Sequence, residues 1–115
     1  MIHIYGIKNC DTMKKAFTWL DDHGISYTFH DYKKLGITPD KLNEWLKTIP
    51  LNKLINTKGT TFKKLTHEQQ ESMHDTSQAI ELMVNQPSMI KRPLVEKNNL
   101  ILLGFEVNKW EDFHR

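Results

Sequence analysis

The sequence predicts an α/β fold: a four-stranded mixed sheet interrupted by an all-helical insertion. Three observations predict it. The chain opens as strand, helix, strand; its middle, roughly residues 38–86, carries helical signals only; and it closes as strand, strand, helix. That order is thioredoxin-like. The length of 115 residues suits one domain, spanning residues 1–115, built on a single core.

The elements follow from local pattern. Met1 to Tyr5 carries Ile2, Ile4 and Tyr5 and reads as a buried strand that Gly6 ends. From Cys10 onward, Met13, Ala16, Phe17 and Leu20 fall at i, i+3, i+4 and i+7, one helical stripe, with Lys14, Lys15, Asp21 and Asp22 elsewhere on the wheel. Gly24 follows as a left-handed C-cap. Tyr27 to Tyr32 has strand composition. If the first two strands pair, they run parallel through a right-handed crossover, and Cys10 lies at the carboxyl edge where open α/β sheets bind ligands. Thr38-Pro39 starts a helix as N-cap and N1, continued by Leu42, Trp45, Leu46 and Ile49 and stopped by Pro50. Asn52 to Thr61 holds a short apolar patch, Leu54 and Ile55, and then a loop with Gly59. Thr66 with Gln69 and Asp75 with Gln78 match capping boxes, so two short helices start there. Ile80, Met83 and Val84 give the second its buried stripe. After Pro87, Leu94-Val95-Glu96, the turn Lys97-Asn98-Asn99 and Leu100 to Phe105 form an antiparallel hairpin. Trp110 and Phe113 anchor a last short helix.

Composition removes several classes of function. A net charge of +2 gives no basic face for nucleic acid or a membrane surface. The Lys14-Lys15 and Lys63-Lys64 pairs read as solvated. No apolar run reaches the roughly 18 residues that cross a bilayer, and no signal-peptide pattern opens the chain. A single cysteine forms no internal disulfide and no CxxC pair, which suits a reducing, cytoplasmic setting. The six histidines show no zinc spacing, so no metal is expected. No Gly-rich phosphate loop is present, so no bound nucleotide cofactor is expected. A monomer is expected.

Three places carry candidate chemistry. Cys10 sits where loop becomes helix, facing unpaired N–H groups and the positive end of the helix dipole, both of which favour a thiolate. The plain alternative is a buried, inert cysteine. Lys8 favours the thiolate and Asp11 opposes it, so these neighbours leave the net sign open. Thr12 reads as a first-turn residue whose hydroxyl is also able to reach the sulfur. Arg92 before Pro93 is either a surface arginine beside an ordinary proline or a guanidinium held at a rigid turn, ready to fork onto a carboxylate or oxyanion. The predicted fold brings it near Cys10 if the third strand pairs beside the first. Asn56-Thr57-Lys58-Gly59-Thr60-Thr61 reads as a helix-to-helix loop that is also able to line a cleft.

Together, Tyr5 to Thr12, Asn56 to Phe62 and Ile90-Lys91-Arg92-Pro93-Leu94 resemble the arsenate reductase (ArsC) family, and within it the small YffB-type reductases, which are related to Spx-type regulators. The resemblance runs nearly end to end. It implies a thioredoxin-like fold with a helical insert, a nucleophilic Cys10, a cis Pro93 and an oxyanion-contacting Arg92. It implies further arginines in the arsenate reductases. At the loop position this chain has Asn56, with Lys58 nearby; the later position falls among Leu103-Gly104-Phe105, which holds no arginine. Met13 stands where those enzymes place a serine. For YffB-type members the resemblance implies a glutathione-dependent thiol reductase with glutathione as co-substrate and a glutaredoxin as a further partner. Arsenate reduction is one alternative. The other is an Spx-type regulator that binds RNA polymerase, a group that generally uses a CxxC switch absent here. The expected site is therefore Cys10 as nucleophile, with Lys8, Thr12, Arg92, Pro93, Asn56 and Lys58 around the substrate.

Overall fold

The computed structural model describes residues 2–98 and 100–114, with Phe113 and His114 described through their backbone alone. The expectations for Met1, Asn99 and the Phe113 side chain lie outside the described residues. The element order is β1 (Ile2–Gly6), α1 (Asp11–Asp22), β2 (Tyr27–Asp31), α2 (Tyr32–Leu35), α3 (Pro39–Leu46), α4 (Leu51–Leu54), α5 (Thr60–Lys63), α6 (His67–Ser72), α7 (Thr76–Asn85), a 3-10 turn (Pro87–Met89), β3 (Leu94–Lys97), β4 (Leu100–Leu103) and α8 (Val107–His114). The chain divides into two compact units, residues 1–32 with 92–115, and residues 33–91.

The first unit holds the sheet, ordered β2-β1-β3-β4. β1 pairs with β2 in parallel and with β3 antiparallel, and β3 pairs antiparallel with β4. This is the mixed, thioredoxin-like α/β sheet the sequence predicts. β1 runs through Gly6, which pairs with Asp31, rather than stopping before it. Gly6 answers a packing need: a Cβ there would lie 2.5 Å from Met13 Sδ and 2.6 Å from Met13 Cε. Met13 thus lays its thioether over the end of β1 and seats the first turn of α1 against the sheet.

α1 closes as expected. Gly24 has φ +64°, its N–H donates to Asp21 O at 3.1 Å, and the Ile25 N–H donates to Leu20 O at 3.0 Å. These two bonds make a Schellman cap. Met13, Ala16 and Leu20 are buried with Ile2, Ile4 and Val95. The fourth position of the predicted stripe, Phe17, is only partly buried, stacked on Tyr27 and edge-on to Phe29. Trp19 is buried in addition, edge-on to Trp110 of α8 at 5.5 Å. Helical period within one segment does not reveal a partner that comes from the far end of the chain.

Strand parity gives the sheet two unlike faces. Ile2, Ile4, Tyr27, Phe29, Val95 and Leu102 join the α1 core. His3, Tyr5, His30, Leu94 and Glu96 alternate onto the other face. There Tyr5 stacks on His30 at 4.4 Å, and His3 Nδ1 lies 2.9 Å from His30 Nε2. β2 stops at Asp31, one residue short of the predicted strand, because Tyr32 begins a helical turn. β4 stops at Leu103 rather than Phe105: Gly104, at φ +83°, turns the chain and its N–H donates to Pro93 O at 2.8 Å.

The second unit is helical apart from one isolated bridge, Ile55–Ile90. Thr38 Oγ1 accepts from the Lys41 N–H, and Pro39 is the first helical residue of α3, as predicted. α3 ends at Leu46, not near Ile49. Pro50 then heads the short α4 where the sequence suggested only an apolar patch. Thr66 and Gln69 form a full capping box on α6, and Asp75 Oδ1 caps α7 by accepting from the Gln78 N–H. In α7 the buried residues are Ala79 and Met83, with Ile80 and Val84 half-buried. Leu42, Trp45, Leu54, Met73, Met89 and Ile90 are also buried in this unit.

Candidate functional site

Cys10 is the N-cap of α1, in extended conformation at φ −129° and ψ 133°, and it is half-buried. An N-cap faces the unpaired donors of the first turn. No cap hydrogen bond closes on the sulfur, but the backbone N–H groups of Met13 and Thr12 and the Arg92 guanidinium lie close enough to stabilise its thiolate. Burial pushes the thiol up, and this is the largest single influence. The Met13 N–H, the Arg92 hydrogen bond, the Thr12 N–H and the Arg92 charge together outweigh it and hold the thiol below its ordinary value. The sign that the sequence left open is therefore set by Arg92 and two backbone donors. Lys8 is exposed and is not among the groups acting on the sulfur, and Thr12 acts through its N–H rather than its hydroxyl.

Arg92 is brought to Cys10 by strand pairing. Tyr5 pairs with Leu94, so the segment just before β3 runs beside the carboxyl end of β1. The Arg92–Pro93 peptide bond is cis, as the resemblance implies. Pro93 is buried and its carbonyl is held by the Gly104 N–H at 2.8 Å. Behind Arg92 lies a layer that the sequence reading missed. The Tyr32 hydroxyl is within electrostatic reach of Tyr5, Arg92 and Glu96. Its signal in the sequence was only its place at the end of the predicted second strand.

Asn56 and Lys58 belong to the second unit. Asn56 is half-buried, with its N–H donating to Met89 O at 2.7 Å, and Lys58 is exposed. Gly59 has an ordinary φ of −77°. Its lack of a side chain matters through space: a Cβ would lie 2.7 Å from Asn56 Nδ2. The loop is thus folded on the Asn56 amide and leads directly into α5.

The sequence contains two arginines, Arg92 and Arg115, so Arg92 is the one guanidinium of the site among the described residues. Among those residues no group of three His, Cys, Asp or Glu side chains is placed to hold a metal ion, and no helix is long and apolar enough to cross a membrane.

The lowered thiol has a consequence for stability. Folding stabilises the thiolate, so between the folded-state pKa and the ordinary cysteine value of about 8.5 the unfolded chain binds more protons. The Cys10 contribution is fully present above the unfolded value and is lost as pH falls through the folded one. Urea midpoints of the wild type minus those of Cys10→Ser, taken between pH 6 and 9, are expected to grow with pH. A flat difference would show that the thiolate is not favoured by the fold.

Comparison with known proteins places these features. A family model described as ArsC family matches residues 5–113. The solved structure of a protein named YffB is 46% identical, covers 97% of each chain and superposes with a TM-score of 0.92. The solution structure of an arsenate reductase (ArsC) related protein from Brucella melitensis is 49% identical, covers 99% of this chain and 94% of its own, and gives a TM-score of 0.77. The global transcriptional regulator Spx of Listeria innocua is 24% identical over 115 residues, 98% of this chain and 86% of that regulator.

Proposed function

This chain belongs to the ArsC family, and we propose that within it the protein is an oxidoreductase acting as a glutathione-dependent thiol reductase with one nucleophilic cysteine. The observation that carries this reading is the Arg92 guanidinium hydrogen-bonded to a Cys10 thiol that α1 also holds below its ordinary pKa. A thiolate attacks disulfides, and one guanidinium matches one carboxylate.

In the first step the Cys10 thiolate attacks the glutathionyl sulfur of a mixed disulfide R–S–S–G. The Cys10–glutathione disulfide forms and R–S⁻ leaves, taking a proton from solvent. In the second step a glutathione thiolate attacks the glutathionyl sulfur, forming glutathione disulfide and restoring the Cys10 thiolate. With one cysteine in the chain, the second thiol comes from outside; free glutathione is the proposed donor and a glutaredoxin the alternative one. Arg92 binds a glutathione carboxylate beside Pro93. The cycle needs no bound cofactor, works in a reducing compartment such as the cytoplasm, and requires only a monomer.

The test is intact mass after incubation with glutathione disulfide near neutral pH. The wild type is expected to gain one glutathione and to lose it on addition of glutathione, while Cys10→Ser gains none. A wild type that reacts no faster than an ordinary exposed thiol would overturn the reading. An arsenate reductase is the competing reading, since a relative 49% identical is described as an arsenate reductase (ArsC) related protein. Against it stands a site with one guanidinium and with Met13 three residues after Cys10. Steady-state turnover of arsenate with glutathione and glutaredoxin would decide for it. The Spx likeness is tested by a pull-down with the C-terminal domain of the RNA polymerase α subunit, where no retention is expected.

A further inference from the structure

Tyr32 is a buried titratable group that the proposed cycle does not use. It is 1% exposed, and no hydrogen-bond partner is found for its hydroxyl among the described residues. A buried hydroxyl with no protein partner adds little to folding, and a phenylalanine would fill the same space. Sheet register shows where the hydroxyl has been carried. Gly6 pairs with Asp31, and Tyr5 pairs with both His30 and Leu94. One row further on, Tyr32 follows β2 and Arg92 precedes β3, on either side of the end of β1. Both residues lie just beyond strand ends, Tyr32 after β2 and Arg92 before β3. The phenol oxygen is within electrostatic reach of the Arg92 cation and of Glu96, in surroundings nearly free of solvent, where such interactions are strong.

We propose that Tyr32 is a positioning residue for the reactive thiol: its buried hydroxyl dipole, together with Glu96, keeps the Arg92 guanidinium directed at Cys10. The oxygen end of the phenol attracts the cation and limits its excursions, while the ring, packed at the end of β2, cannot move away. The hydroxyl serves a better-aimed guanidinium rather than local stability, a known exchange at functional sites. The inference rests on the reading of Cys10 as a reactive thiol held by Arg92, and not on glutathione as its co-substrate.

The test is Tyr32→Phe, which deletes one oxygen. The readout is the pH–rate profile of Cys10 alkylation by a neutral reagent such as iodoacetamide. Tyr32→Phe is expected to match or exceed the wild type in Tm, since an unbonded buried hydroxyl has been removed. Its profile is expected to move to higher pH, with alkylation near pH 6.5 slowed about twofold. In an Arg92→Ala background the same substitution is expected to leave the profile where it is. An unmoved profile in the wild-type background overturns the proposal, as does a shift that persists without Arg92. A lowered Tm with no profile change marks Tyr32 as a purely structural residue and overturns it too. Failure of the glutathione experiment with a shifted alkylation profile would remove the proposed co-substrate and leave the role of Tyr32 intact.

Discussion

Arg92→Ala is expected to slow glutathione exchange at Cys10 far more than it slows alkylation by a neutral reagent. The two losses have different origins. Without the Arg92 hydrogen bond and charge the Cys10 thiol rises toward its ordinary value. Removing Arg92 therefore leaves less thiolate near neutral pH. The remaining thiolate is more basic and more nucleophilic; with a Brønsted coefficient of about 0.4–0.5, its gain in reactivity offsets part of the loss in thiolate. Alkylation by iodoacetamide thus falls by less than the thiolate does at pH 6–7, and at pH well above both pKa values the variant becomes faster than the wild type. Exchange with glutathione disulfide loses, in addition, the fork onto the ligand carboxylate, a further factor of about ten or more. Rates measured with both reagents across pH 5.5 to 10 separate the two. Equal losses with both reagents would remove Arg92 from carboxylate binding. The absence of a crossover at high pH would remove it from thiolate stabilisation.

The strand–helix–strand opening and the final hairpin were legible because their signals are local. Gly24 as C-cap, Thr38-Pro39 as helix start and the Thr66–Gln69 capping box each depend on residues within four positions, and the structure forms all three. The boundaries that moved depend on remote partners. Gly104 turns the end of β4 by donating to Pro93, and Trp19 is drawn inward by Trp110. The same division runs through the site. Cys10 was legible from its place at a helix start. Pairing of β1 with β3 was needed to bring Arg92 to it, and the opposing pulls of Lys8 and Asp11 gave no sign for the thiol. The groups that set that sign are the Met13 and Thr12 N–H donors, which every residue other than proline has, and an arginine more than eighty positions away. Tyr32 was visible only as part of a strand, because its meaning comes from register across three segments.

Trp110→Ala is expected to be the most destabilising single change in the sheet unit, and to act at the site from a distance. Trp110 is 2% exposed and meets Trp19 and Phe105 edge-on, at 5.5 and 4.8 Å between ring centroids. Truncating so large a buried ring costs about 3–5 kcal/mol, a large share of the roughly 5–15 kcal/mol that holds a domain folded. Urea unfolding followed by far-UV circular dichroism reads that loss. The indole also has a polar duty: its Nε1–H donates to Gly104 O at 3.0 Å, while the Gly104 N–H donates to Pro93 O at 2.8 Å. One glycine peptide corner therefore ties the last helix to the residue that follows Arg92. Trp110→Phe keeps most of the packing, leaves Gly104 O unpaired and is expected to cost about 1–3 kcal/mol. If the corner sets the position of Arg92, Trp110→Phe also moves the Cys10 pH–rate profile upward, in the same direction as Arg92→Ala and by less. A lower urea midpoint with an unchanged profile would mean that Trp110 only fills the core, and that Pro93 is held firmly enough by β3 without it.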